Sequence, residues 1–335
     1  MASLFAKAGY NAVMELHPDT CYRAVKSRDA RFDGRFFTAV VSTGIFCRPV
    51  CPATPPHLKN CRFMPSAAAA MAAGFRPCLR CRPEAAPGSP AWKGVSSTVG
   101  RAMRLIGEGA LDTGSVDDLA ARLGMGERHL RRLFLDHVGA SPKKVAQTRR
   151  LLFAKKMISE STLPLTEIAH ASGFQSIRRF NDAFLKIYNR PPRTLRRELR
   201  QNVADTGNLI TLKLFFRPPY NWQSMIGFLQ TRAITGMEEA TETSYRRSVS
   251  LGGRPGVIHV RPVPGKNYLS ATFDLADLSY LQSAIETTRR LFDLDADSTA
   301  IDDQLAQDPV LADLVRARPG MRVPGAWDLF ELAVR

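Results

Sequence analysis

The chain has 335 residues, 44% of them hydrophobic and 23% charged, which suits two or three globular domains and excludes a disordered chain. No apolar run nears the ~18 residues of a membrane span, and residues 1–14 lack a secretory core, so a bacterial-type cytoplasmic, nucleoid-associated protein is expected. Its net charge is +16, and the excess is uneven: residues 1–205 carry 33 basic and 16 acidic groups, residues 206–335 carry 14 and 15. Such a field favours nucleic acid over a membrane surface, since no basic amphipathic anchor helix accompanies it.

Residues 15–86 hold all six cysteines. Cys47-Arg-Pro-Val-Cys51 and Cys78-Leu-Arg-Cys81 form a C-x3-C and a C-x2-C pair with 26 residues between them. Each pair turns two thiolates toward one point, and two pairs supply the four soft ligands of a tetrahedral zinc. Spacing alone leaves open a purely structural zinc, a reactive centre, and disulfides as the weakest reading. It also leaves open which thiolate would react. Cys21 and Cys61 read as buried small apolar residues. The alanine run at residues 67–73 reads as a helix.

The segments Asp33-Gly-Arg-Phe-Phe37, Thr43-Gly-Ile-Phe-Cys47-Arg-Pro-Val-Cys51-Pro52 and Ala72-Ala-Gly-Phe-Arg-Pro-Cys78-Leu-Arg-Cys81 closely resemble the zinc domain of the Ada family. The resemblance implies one zinc ion held by Cys47, Cys51, Cys78 and Cys81. It also implies that Cys47 is the nucleophile, accepting a methyl group from a DNA methylphosphotriester in a single turnover. Conversion of one thiolate to a thioether removes a negative charge near the phosphate backbone, so methylation is expected to strengthen DNA binding.

Residues 84–96, rich in Pro and Gly, read as a linker. Residues 97–200 are basic and helical in pattern. Leu119, Ala120 and Leu123, a turn at Gly124, then Leu130, Leu133 and Phe134 describe a helix-turn-helix. Leu165, Ile168 and Ala169, a turn at Gly173, then Phe180, Phe184 and Ile187 repeat it, with a connecting helix from Pro142 to Ile158. Gly173-Phe-Gln-Ser-Ile-Arg-Arg-Phe-Asn-Asp-Ala-Phe184 and Asn189-Arg-Pro-Pro-Arg193 resemble the AraC-type DNA-binding domain. The outward positions of the reading helices are Arg128, Arg131 and Arg132 in the first and Ile177, Arg178 and Arg179 in the second. Asp182 stands where many members have a basic residue. His17, His57, His129 and His137 read as ordinary surface or helix residues.

Residues 209–318 mix strands (210–216, 245–251, 256–261, 268–273) with helices (222–229, 279–292), and Phe215, Phe216, Tyr220, Trp222 and Phe228 read as core. Pro-Pro-Tyr-Asn-Trp222 and Pro324-Gly-Ala-Trp-Asp-Leu-Phe330 are similar to the N-terminal part of AlkA-type DNA-3-methyladenine glycosylases. The family's helix-hairpin-helix and catalytic aspartate are not found, and Asp328 belongs to another stretch. Residues 319–335 therefore read as the start of an incomplete helix-hairpin-helix domain, and base excision by this polypeptide is expected to be absent. There is also no Pro-Cys-His-Arg motif for a second methyl acceptor.

The expected architecture is multidomain α+β: a small zinc-bound α/β domain (15–86), an all-α double helix-turn-helix (97–200) and a C-terminal α+β domain with an antiparallel sheet (209–318). The expected function is a methyl-accepting repair protein that activates repair genes. Its expected partners are double-stranded DNA and RNA polymerase, with no membrane. The competing readings are a transcription factor with structural zinc and a truncated glycosylase fusion.

Overall fold

The computed structural model describes residues 17–87, 97–199 and 209–334. The expected linker beyond residue 87, the polar stretch between the helical and C-terminal parts (201–208) and the N-terminal fourteen residues lie outside the described residues. The chain divides into two compact units: residues 1–83 with 88–149, and residues 84–87 with 150–335.

The first unit begins with helix α1 (Pro18–Ser27) and strands β1 (Phe37–Val40), β2 (Ile45–Cys47) and β3 (Cys61–Met64), then α2 (Ala67–Ala72) and β4 (Arg76–Pro77). The strands form a sheet in the order β3-β1-β2-β4. Cys21, Ala24 and Val25 of α1 close over Phe36, with Phe63 edge-on to that ring at 5.5 Å. The alanine run is helical because Ser66 caps it, accepting from the Ala69 amide at 3.0 Å. Cys61 departs from expectation: it is only half-buried, and its thiol donates to the His57 carbonyl.

Helices α3 (Ser97–Gly107), α4 (Ala110–Thr113), α5 (Val116–Arg122) and α6 (Glu127–Val138) follow. Ser115 and Asp118 form a reciprocal capping box at the start of α5. Leu119, Ala120, Leu130, Phe134 and Val138 share one buried cluster with Val99, Ala102 and Ile106. The turn between α5 and α6 needs φ +72° at Gly124, a conformation glycine adopts freely.

Helix α7 (Pro142–Glu160) contains the division between the units. In the second unit come α8 (Leu165–Ala171), α9 (Ile177–Tyr188) and α10 (Pro192–Leu199). Phe180, Phe184 and Tyr188 are the buried stripe of α9. Part of the expected linker is packed here. Glu84 makes a fully buried ion pair with Lys155 of α7, and Pro87 is buried.

Strand β5 (Ile210–Phe215), α11 (Trp222–Thr231), β6 (Glu238–Thr241), β7 (Ser244–Leu251), β8 (Arg254–Pro262) and β9 (Tyr268–Leu275) build an antiparallel sheet in the order β5-β9-β8-β7-β6. Strict alternation buries every second side chain of β5 and β7. Helices α12 (Leu281–Leu291), α13 (Ser298–Leu305), α14 (Pro309–Ala317) and α15 (Leu329–Val334) complete the unit. Phe292 stacks on Trp222 and meets Tyr245 edge-on. Phe228 is not core: it is exposed, with the Arg232 guanidinium 4.1 Å from its ring centre.

The edge of β5 is covered. Lys156 Nζ of α7 donates to the Lys213 carbonyl at 3.0 Å, and Glu160 accepts from the Lys213 amide. Beneath the sheet, Arg247 occupies an inward position of β7. It pairs with Glu238 at 3.3 Å and Glu331 at 2.6 Å, and faces the Trp327 ring at 4.6 Å.

Candidate metal centre and DNA-reading helices

The two cysteine pairs meet because β2 and β4 run side by side. Ile45 pairs with Arg76 and Phe46 with Pro77 in parallel register, so the next residues out, Cys47 and Cys78, emerge together at the sheet's end. The Cys78 amide donates to the Phe46 carbonyl at 3.0 Å. After Cys47 the chain turns sharply, with the Cys51 amide on the Arg48 carbonyl at 3.2 Å. The four sulfurs lie within 4.8 Å of one another; Cys51, Cys78 and Cys81 are buried and Cys47 is half-buried.

This donor set fits one zinc ion. Four thiolates so close repel one another, and their joint ionisation needs a divalent cation at the centre. The competition shows in the thiols themselves. Hydrogen bonding from Cys47 draws Cys51 down to about 7 and holds Cys78 far below the ordinary thiol value. Hydrogen bonding to Cys51 and Cys78 pushes Cys47 up, and hydrogen bonding to Cys47, Cys51 and Cys78 pushes Cys81 up.

The sulfurs are not equivalent. Cys81 Sγ accepts from the Arg48 amide at 3.3 Å, Cys51 from the Ala53 amide and Cys78 from the Cys81 amide. Cys47 is also the most open of the four, half-buried where Cys51, Cys78 and Cys81 are buried.

A buried ion pair braces the cage. Arg48 Nε donates to Asp33 at 2.8 Å, and Arg48 Nη1 donates to the Cys81 carbonyl at 3.1 Å. The guanidinium thereby ties the turn after Cys47 to the turn after Cys78.

The expected reading residues lie on exposed helix faces. Arg128, Arg131 and Arg132 are exposed on α6, and Ile177, Arg178 and Arg179 on the first turn of α9. Some are already engaged along their helices: Arg131 with Glu127 at 2.9 Å, Arg132 with His129 at 3.1 Å and Arg179 with Gln175 at 2.7 Å. Asp182 is exposed on α9.

Comparison with known proteins follows this division. Residues 20–84 match the metal binding domain of Ada, 119–198 a helix-turn-helix domain, and 211–328 the AlkA N-terminal domain. The chain therefore carries an Ada metal-binding domain, a helix-turn-helix domain and an AlkA N-terminal domain, in that order. It is 42% identical over 325 residues to a probable bifunctional transcriptional activator/DNA repair enzyme AlkA of Mycobacterium tuberculosis, covering 96% of this chain and 65% of the relative's length. It is 36% identical over 156 residues to the bifunctional transcriptional activator/DNA repair enzyme Ada of Escherichia coli, covering 47% and 43%. It is 38% identical to the E. coli Ada protein solved in complex with DNA, covering 39% and 91%, with a TM-score of 0.20.

Within the Ada metal-binding domain, the cysteine spacing pointed to all four candidate ligands. The Asp33–Arg48 brace was not legible, since no local pattern pairs residues fifteen apart. Ser66 was also missed. Besides capping α2 it donates to the Val138 carbonyl at 2.7 Å, at the last turn of α6. The metal-binding domain and the first helix-turn-helix are thus joined by a buried hydrogen bond inside one unit. Its signal was half present, a serine directly before an alanine run.

Proposed function

We propose that this protein is a methyl-accepting DNA-repair regulator. The observation that carries the reading is the unequal sulfur cage, open at Cys47, in one unit with a basic reading helix. Cys47 Sγ attacks the methyl carbon of a DNA methylphosphotriester. The new S–C bond forms as the methyl C–O bond breaks, and the bonding pair leaves on oxygen as an ordinary phosphodiester anion. Bound zinc keeps all four sulfurs as thiolates at neutral pH. Cys51, Cys78 and Cys81 hold the cage, and the Asp33–Arg48 brace fixes the turn that presents Cys47. The thioether does not return to a thiolate without a further methyl acceptor, so each chain turns over once.

The methyl group is also a signal. Methylation turns one thiolate into a neutral thioether and removes a negative charge beside the DNA backbone. The reading helices, with Arg128, Arg131, Arg132, Arg178 and Arg179, then hold a promoter more tightly and the protein recruits RNA polymerase to repair genes. Double-stranded DNA is thus both substrate and operator.

Intact mass spectrometry of the zinc-loaded protein before and after exposure to methylphosphotriester DNA tests this. One added methyl group on the Cys47 peptide is expected. Uptake on another residue would move the nucleophile. No uptake, with DNA affinity indifferent to methylating agents, would leave a transcription factor with structural zinc.

A further inference from the structure

Among the described residues of 97–199, three large apolar side chains are exposed: Leu135 at 57%, Ile177 at 40% and Leu185 at 54%. All three lie on the two reading helices. Residues 127–139 and 177–189 correspond one for one at an offset of 50. Leu130, Phe134 and Val138 match Phe180, Phe184 and Tyr188 in burial, and both helices end in a left-handed cap, Gly139 and Asn189. At that offset Leu135 corresponds to Leu185. The same exposed leucine has been placed at the same position of both repeats.

Helical geometry puts each leucine in the middle of a polar face. At about 100° per residue, Leu135 falls between Arg128, Arg131 and Arg132 in projection, roughly 10 Å further along the axis from Arg128. Leu185 falls likewise between Arg178, Asn181 and Asp182, all exposed. A lone leucine set among charged and polar side chains, three arginines around Leu135 and Arg178, Asn181 and Asp182 around Leu185, has poor complementarity to an apolar protein surface, because those groups would have to be desolvated with it. A DNA major groove offers the matching mixture. Phosphates and guanine edges take the arginines, and the thymine 5-methyl is the apolar group on the groove floor.

We propose that Leu135 and Leu185 each pack against a thymine methyl group in the DNA that their helices read, making them specificity-determining residues. The proposal rests on the DNA-reading function above. For a helix lying along the groove, ~10 Å places that thymine about three base pairs from the base met by Arg128 or Arg178.

The test uses the full zinc-loaded chain. A preferred duplex is selected from a random pool, and affinity is measured by anisotropy on it and on copies with deoxyuridine for single thymines. Wild type is expected to lose roughly fourfold at one position per reading helix, the value of one methyl group. Leu135→Ala is expected to bind thymine and deoxyuridine duplexes equally at its position and to keep the discrimination belonging to Leu185, with Leu185→Ala the reverse. The salt dependence is expected to stay unchanged, since no phosphate contact is removed.

Equal binding of thymine and deoxyuridine duplexes by wild type at every position would overturn the proposal while leaving DNA reading intact. Failure of wild type to select any duplex would overturn DNA reading itself. A Leu135→Ala chain that keeps its DNA discrimination but loses transcription activation, or changes its sedimenting mass, would assign the face to polymerase or to a second copy instead.

Discussion

The sulfur cage at Cys47 and the Arg247 cluster under the C-terminal sheet both bury charge, but they balance it differently. In the cage the ionised donors are all negative, so nothing within the set can neutralise it. Around Arg247 the guanidinium meets two carboxylates, Glu238 and Glu331, with the Tyr245 hydroxyl also on Glu238. A buried cluster of one sign is built for an ion from outside. A buried cluster of both signs supplies its own counter-charge and serves the fold.

The largest effect that could break this contrast is metal removal. Chelation, or Cys78→Ala, is expected to unfold residues 17–83, because structural zinc sites couple about 10 kcal/mol or more of binding to folding. Zinc content by elemental analysis and amide exchange should fall together there, while exchange in the C-terminal sheet stays protected. Acid acts in the same direction, since protons compete with the ion for sulfur, so stability is lost as pH falls. Simultaneous loss of the C-terminal sheet on chelation would end the distinction.

Next in size is Arg247→Met, which strands two buried carboxylates and is expected to cost about 3–5 kcal/mol in urea denaturation of the second unit. Replacing Glu238 and Glu331 with leucine in the same chain should recover most of it. No such rescue is available to the cage by removing more sulfurs. Ser66→Ala removes both the α2 cap and the bond to Val138, and is expected to cost about 1–2 kcal/mol. Amide exchange at the end of α6 should report it. Tyr245→Phe removes the hydroxyl that Glu238 and Arg247 share, about 1–2 kcal/mol by the same denaturation assay.

Legibility followed the same line. The cage could be read from spacing because its donors come in two tight local pairs. What brings the pairs together could not, since β4 is only two residues long. The Arg247 cluster was invisible in sequence, as its partners lie in β6 and α15, up to 84 residues away. Strand β6, Glu238-Glu-Ala-Thr241, has weak strand propensity and is held by pairing to β7. Helix α13 shows no apolar stripe in sequence, and α14 carries Val310, Leu311, Leu314 and Val315 at helical spacing but buries none of them. The reading helices were legible because their apolar stripes repeat at helical spacing. The exposed leucines Leu135 and Leu185 carry no such signal.

The covered edge of β5 limits how the molecule can be dissected. Expressing the C-terminal part from residue 209 onward would strip Lys156 and Glu160 from the backbone of Lys213 and bare a strand that could zip onto a copy of itself. Fragments meant to isolate that part are therefore prone to self-association unless they retain the second half of α7.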